Sequence, residues 1–358
     1  MAPFWAMWLE NKGLSPSEIG IIIAVPHFMK IFMAPLISQA ADRRDEYWRP
    51  LIICTSLSVL FSAFYFVVAD FWPLFFITVA VNISMPAIMP LLETITVSQT
   101  TKHHLNYGWI RSFGSASFIV ASVFMGWFLK SNSVDYVVWV SFGCLCLIFI
   151  SALFLPRGNK KISSKSSNTS PIIDLLKQPN FIWFLCAVGL LQMSHGVYYS
   201  MGSIHWKNSG INEDIIGLLW AIGVIAEIAV FIFMGKIIDR TSTRLIFAII
   251  GVLGALRWAV MGFSVSLPIL FAVQLIHGLT FGASHFAAIN YLSKNIDTKF
   301  SGSAQSLYTA FPLGLGMALS TYFGSLLFEN FGGNAYYAMS LLCFLTVLLT
   351  IPRFSRKI

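Results

Sequence analysis

One carboxylate stands where carboxylates are costly. In Gly217 to Gly235, GLLWAIGVIAEIAVFIFMG, eighteen of nineteen residues are apolar or glycine, and the other is Glu227. Lys30 holds the middle of another apolar stretch, twelve residues from Glu18 and twelve from Asp42. A charge at the centre of a bilayer costs at least about 2.5 kcal/mol on insertion scales, so such residues face an interior, pair, or serve a path. Glu227 lies thirteen residues past Asp214 and nine before Lys236, about 20 Å and about 13 Å from those ends at a helical rise. A carboxyl there can take and release a proton. A lysine at similar depth can attract a carboxylate or balance charge. The structural alternative is an ion pair, with Arg257 as the expected partner of Glu227. Glu93 is the other acid within an apolar segment. Arg111 can pair with it or snorkel to the membrane edge.

Histidines form the second set. Tyr198 and Tyr199 follow His195 at i+3 and i+4, one helical face, which could stack an aromatic ring and hydrogen-bond its carboxylate, or simply be packed. His277 and His285 are eight residues apart, roughly 80° apart in helical projection, and both could edge one cavity. Zinc binding would need i, i+4 spacing on a helix, so no metal is expected. GxxxxGK[ST], Gly-x-Ser-x-Gly and a zincin helix pair are all missing. Neither ATP, another cofactor nor enzymatic catalysis is therefore expected.

The elements that must hold these groups follow from composition. The 358 residues are 57% hydrophobic and 11% charged, with mean hydropathy +0.75. Soluble domains carry about 25% charged residues. Apolar segments near 18–41, 49–69, 71–99, 107–129, 135–155, 180–206, 213–235, 244–263, 267–293, 301–328 and 332–351 are long enough to cross a membrane, which takes about 20 residues of helix. A shorter one occupies 1–9. This predicts an all-α polytopic membrane protein. Alternate loops and the C-terminal tail hold 17 basic residues, and the opposite loops hold only Lys12, Lys130 and Lys207. The basic side is expected to be cytoplasmic, with the C-terminus inside. The net charge of +8 thus reflects topology and no nucleic-acid partner. The five cysteines lie in apolar runs, and no disulfide is expected.

A repeat organises the chain. KGLSPSEIGIII from Lys12 matches SGINEDIIGLLW from Ser209, with Gly13 on Gly210 and Gly20 on Gly217. Asp42-Arg43 matches Asp239-Arg240. All offsets are 197, so the chain reads as two six-helix bundles in parallel repeat, residues 1–156 and 180–358. The Ser- and Lys-rich stretch within 157–179 reads as a flexible cytoplasmic linker. Lys30 and Glu227 are repeat mates of opposite sign at matching depth. Glu93 pairs in the same way with Asn290. By the same offset the first helix is incomplete, with about sixteen residues expected before Met1. Gly278, Gly282, Gly314 and Gly316 read as packing positions.

GKIIDRTSTR, Gly235 to Arg244, resembles the loop signature of the major facilitator superfamily, Gly-x-x-x-Asp-Arg followed by basic residues. Its first-half counterpart keeps Asp42-Arg43 but has Ser38 in place of the glycine. Within that superfamily, PFWAMWL, YGWIRSFGSASF, LLQMSHGVYYS, LLWAIGVIAEI, ALRWAVMG and QLIHGLTFGASHFAAI resemble the phenylpropionic acid permease group. The resemblance implies a monomeric permease of the bacterial cytoplasmic membrane that imports a small, aromatic carboxylate with protons by alternating access. It implies proton coupling at Glu227, Glu93 or His285, and substrate contacts from Lys30, His195, Tyr198, Tyr199, His277 and Asn290. Structural or gating roles fall to Asp42, Arg43, Arg111, Gly235, Asp239, Arg240, Arg244 and Arg257. The alternatives are another solute such as a nucleoside or sugar, efflux, a polytopic membrane enzyme, or a sensor on the same fold.

Overall fold

A computed structural model describes residues 2–156, 171–297 and 300–351. Most of the expected linker, residues 157–170, lies outside the described residues, as do Lys299, Arg353, Arg356 and Lys357 of the basic side. Among the described residues there are helices and turns and no strand. The first half contains α1 (Ala2–Asn11), α2 (Pro16–Arg44), α3 (Trp48–Ser62), α4 (Phe71–Lys102), α5 (Tyr107–Leu129) and α6 (Tyr136–Leu153). The part of the linker region that is described is not extended: Pro171–Leu176 forms a short helix, α7, because Leu175 is fully buried and anchors it.

The second half begins with α8 (Pro179–Met193) and α9 (Gly196–Asn208), two pieces of one span. α10 (Glu213–Phe233), the short α11 (Gly235–Arg240) and α12 (Thr243–Phe263) follow. The next span is α13 (Leu267–His277) and α14 (Ser284–Asn295), joined by a π-helical turn over Gly278–Ala283. The one after is α15 (Ser301–Ala310) and α16 (Met317–Phe331), joined by a π-helical turn over Phe311–Gly316. α17 (Ala335–Thr350) closes the chain. Among the described residues, ten stretches are apolar and long enough to cross a membrane. The last, Ser301–Thr350 with 50 residues, folds back at Gly332, whose φ of 56° suits glycine. It therefore contains two of the eleven expected spans.

The repeat has a local physical meaning. Gly13 and Gly210 both adopt φ near +85°, at 86° and 84°, a conformation that costs other residues strain. Two residues later Ser15 and Asn212, also repeat mates, are the extended N-caps of α2 and α10. Ser15 and Glu18 form a capping box, which pairs amides that the bilayer would otherwise leave unsatisfied. Gly20 and Gly217 then sit where the halves cross. Gly20 of α2 faces α16, where an added Cβ would lie 2.6 Å from Ser325 Oγ. Gly217 of α10 faces α5, where one would lie 3.1 Å from the Cα of Gly126.

These crossings lie toward the lysine-poor end. There the halves are also tied by Lys130 to Asp214 at 2.6 Å, by Asn208 donating to Glu10 at 3.2 Å, and by the Ser17 amide donating to Glu329 at 3.0 Å. The main hydrophobic core runs through both halves at that end. Toward the basic end the first half has a separate small core around Ala41, Leu51, Ala87 and Leu91. Among the described residues no hydrogen bond or ion pair joins the halves at the basic end. Asp42 accepts from Tyr47 at 2.8 Å, and Asp239 pairs with Lys294 at 2.8 Å, each within its own half.

Candidate functional site

Two irregularities at mid-span build the site. In the seventh span the helix breaks at Ser194–His195. The His195 amide donates to Gln192 rather than to Leu191, at 3.1 Å. The carbonyl of Leu191 thereby freed accepts from Ser194 Oγ at 2.7 Å and from His195 Nδ1 at 3.0 Å. Nothing but a donor suits that carbonyl, so His195 carries its proton on Nδ1. Gly196 then lets α9 touch the backbone of Ser320 on α16.

In the tenth span, Gly278 and Gly282 face α10. A Cβ on Gly278 would lie 2.9 Å from the amide nitrogen of Glu227, and one on Gly282 would lie 3.5 Å from its Cα. Gly-x-x-x-Gly therefore allows backbone contact between the two spans. The intervening π turn, a form found often at functional sites, places His277 on the carboxylate. His277 Nε2 lies 3.0 Å from Glu227 Oε1. His277 is 3% exposed and Glu227 19%, so the carboxyl is the part of the pair open to the space between the halves.

The expected pairing of Glu227 with Arg257 does not occur. Arg257 is fully buried and spends its guanidinium on neutral partners: the Val273 carbonyl at 3.0 Å, Thr280 Oγ1 at 3.0 Å and Gln274 Oε1 at 3.1 Å. It lies over the rings of Trp258 and Tyr198, 4.0 and 5.1 Å from their centroids. Gln274 in turn donates to Tyr198 Oη at 2.9 Å and to the Leu219 carbonyl at 3.0 Å. One arginine thus ties the seventh, eighth, ninth and tenth spans behind Glu227. Arg257→Met is expected to cost at least about 3 kcal/mol, since it strands several buried acceptors. Arg257→Lys should not rescue it, because a single ammonium cannot reproduce the planar fork. Thermal unfolding in detergent measures both.

Other expected site residues fall into three groups. His195 and Tyr198 are fully buried behind the wall, with Nδ1 of His195 and the hydroxyl of Tyr198 engaged and Nε2 of His195 without a hydrogen-bond partner among the described residues. Tyr199 and Phe281 are partly exposed and stack around His195 and His277, with Trp220 beneath Tyr199 at 5.9 Å. His285 lies two residues beyond the π segment, with Nδ1 2.7 Å from Tyr308 Oη. Its charge interacts with both Glu227 and Lys30.

Lys30 is exposed at the middle of α2. Its neighbour Ile31 packs on Gly314 of the other half, so this stretch of α2 lies beside the second half. Asn290 lies away from this centre: its side chain reaches Asp239 at the basic end, which corrects its placement as a substrate contact. Glu93 is paired with Arg111 at 3.6 Å and also accepts from Tyr107. Trp220, Phe281, Tyr308, Gln274 and His27 were not anticipated. Only the aromatic residues had a sequence signal, their density beside the buried histidines.

At the loop signature, Lys294 bonds both the carboxylate and the carbonyl of Asp239 and holds its carboxyl below the ordinary 3.8. A pKa depressed in this way makes the pair present at neutral pH and lost only as pH falls through the carboxylate range. Arg244 lies over Trp183 and donates to Asn180 at 3.3 Å. Gly235 has room for a side chain, with Phe286 3.7 Å from an added Cβ, so close packing does not demand glycine there. Arg43 and Arg240 are exposed. Asp239→Asn is expected to slow uptake several-fold with little change in apparent affinity, since the pair holds a helix end far from Glu227. Initial rates over a substrate series measure this, and weakened affinity at an unchanged rate would make Asp239 a ligand.

Comparison with known proteins gives a consistent picture. A family profile described as MFS_1 like family matches residues 1–339. A protein of Escherichia coli (strain K12) named "Probable 3-phenylpropionic acid transporter" is 28% identical over 346 residues, 95% of this chain and 89% of that protein. A "Putative nucleoside transporter" of the same organism is 22% identical over 349 residues, 92% of this chain and 80% of that protein. The crystal structure of the nucleoside transporter NupG superposes with TM-score 0.86 at 16% identity, over 99% of this chain and 96% of that one.

Proposed function

We propose, because the chain belongs to the MFS_1 like family over nearly its whole length, that this multi-pass membrane transporter imports a small aromatic carboxylate together with protons. The observation that carries the reading is the Glu227–His277 pair at mid-membrane, 3.0 Å apart, with its carboxyl open to the space between the halves. An acid in apolar surroundings is cheap when neutral and needs positive charge when ionised. His277 partners the carboxyl directly at 3.0 Å, so a change in its protonation can bias the preference of the two halves for each other. Tyr199 and Phe281 offer flat faces for a ring, and Lys30 offers a cation for an acid. The relative named for 3-phenylpropionic acid supports this substrate class.

The loops rich in lysine and arginine support a cytoplasmic basic end. Among the described residues, the separate small core and the absence of hydrogen bonds and ion pairs between the halves at that end support a state open to the cytoplasm. In a bacterial inner membrane, such a carrier loads outside with substrate and proton and releases both inside. The test is uptake into proteoliposomes with an imposed pH gradient, corrected for protein-free vesicles because aromatic acids cross lipid unaided. 3-Phenylpropionate, a nucleoside and maltose are offered in parallel. Gradient-stimulated uptake of the aromatic acid supports the reading. Stimulation by the nucleoside alone replaces it with the function suggested by the nucleoside-transporter relative.

A further inference from the structure

Lys30 is a cation in want of an anion. Among the described residues no carboxylate lies within ion-pair distance of it, and its repeat mate Glu227 is engaged by His277. Lys30 is nonetheless held in place. The next residue of α2, Ile31, packs on the π segment of the eleventh span, where an added Cβ on Gly314 would lie 2.6 Å from Ile31 Cγ1. His27, three residues before Lys30, reaches the backbone of Leu313 in the same segment. The π turn arises at Pro312, which cannot donate to the helix and crowds the preceding turn. The irregular backbone of one half thus grips the lysine-bearing helix of the other.

Lys30 and His285 are tied to one span: Ile31, next to Lys30, packs on Gly314, and His285 bonds Tyr308 six residues earlier. Its Nδ1 lies 2.7 Å from the hydroxyl of Tyr308, and the two rings are stacked at 5.7 Å. Tyr308 is 1% exposed, and we take its hydroxyl as the donor to Nδ1. That leaves the imidazole proton on Nε2. The result is a second donor, carried by the other half.

We infer that Lys30 and His285 together form the carboxylate subsite, an anion clamp made of one donor from each half, with Tyr308 as the residue that positions His285. The inference rests on the carboxylate reading above and deepens it by reassigning His285 from proton carrier to substrate ligand. Its consequence is mechanical. An acid bound between the halves draws α2 toward α14, so the substrate itself bridges the surfaces that must move together. Glu227 lies beside His285 and can exchange its proton without contacting the substrate.

The test is binding to purified protein at fixed pH, followed by calorimetry, with benzoate, 3-phenylpropionate and succinate as probes. Lys30→Met is expected to weaken binding of the preferred acid at least about tenfold, the scale of a lost charge-assisted hydrogen bond. Lys30→Arg should restore most of it. His285→Gln should weaken it as well, while Tyr308→Phe should have an intermediate effect that arises through His285. Thermal unfolding confirms that each variant is folded. Wild-type affinity in folded Lys30→Met, or in folded His285→Gln should the lysine variant not fold, overturns the clamp. A wild-type protein that binds none of the acids overturns both the clamp and the proposed function. Tight binding of succinate alone, sensitive to Lys30→Met, overturns the aromatic reading and leaves the clamp standing.

Discussion

Glu227→Gln is expected to abolish stimulation of uptake by a pH gradient while leaving exchange of substrate across the membrane intact. Glutamine has the shape of the protonated acid and cannot release a proton, so the variant stays in the state that the loaded carrier reaches. One pH unit supplies about 1.4 kcal/mol per proton, roughly tenfold in driving force. The variant should lose that factor entirely. Counterflow, in which labelled substrate exchanges for unlabelled, needs no net proton movement and should persist. His277→Gln is expected to reduce the gradient response only in part, because His285 and Arg257 remain near the carboxyl. Gradient-driven uptake that survives in Glu227→Gln would move the coupling role to another acid, with Glu93 next. Glu93 already pairs with Arg111 and Tyr107, which makes it the poorer candidate.

The second large effect is expected at the crossing of α5 and α10. Gly217→Val should disfavour the state seen here and open the lysine-poor end. Any Cβ at 217 meets Gly126 Cα at 3.1 Å and the Ser122 carbonyl carbon at 3.2 Å, and both contacts are with backbone that cannot step aside. Overpacking of this kind costs about 1–3 kcal/mol. The cost falls only on the state in which the halves touch there, so the equilibrium shifts by about 5–150-fold. Its repeat mate, Gly20→Val, should act in the same direction at the crossing of α2 and α16. A cysteine in place of Thr321, fully buried at that second crossing, reports the opening. In Gly217→Val it should react with a membrane-impermeant maleimide, and net uptake should fall at least tenfold. Labelling as slow as in the parent protein would mean that the crossing does not carry the seal.

Much of this architecture is set by local chemistry. Hydropathy decides the number of spans because the bilayer demands helices about 20 residues long, whatever their neighbours. The repeat decides which positions correspond. Gly13 with Gly210 and Gly20 with Gly217 correspond at one offset, which counting residues alone gives. The depths of Lys30 and Glu227 follow by counting residues. None of this needs a partner, and so a single chain of letters suffices.

Partnership is a different matter, because it depends on rotation about helix axes and on backbone breaks that side-chain pattern does not announce. Hydropathy alone makes Arg257 as good a partner for Glu227 as His277. Two glycines and a π turn in the tenth span aim His277 at the carboxylate, while Gln274 and Thr280 take the arginine. His195 stands beside two tyrosines in the sequence, and a break in its own helix turns its Nδ1 proton toward Leu191. Asn290 shared a register with Glu93 yet lies beside Asp239, since equal depth does not fix which way a side chain points. Lys30 and Glu227 remain repeat mates, but Glu227 is partnered by His277 of its own half. That arrangement exists only once the helices of each half are packed against one another.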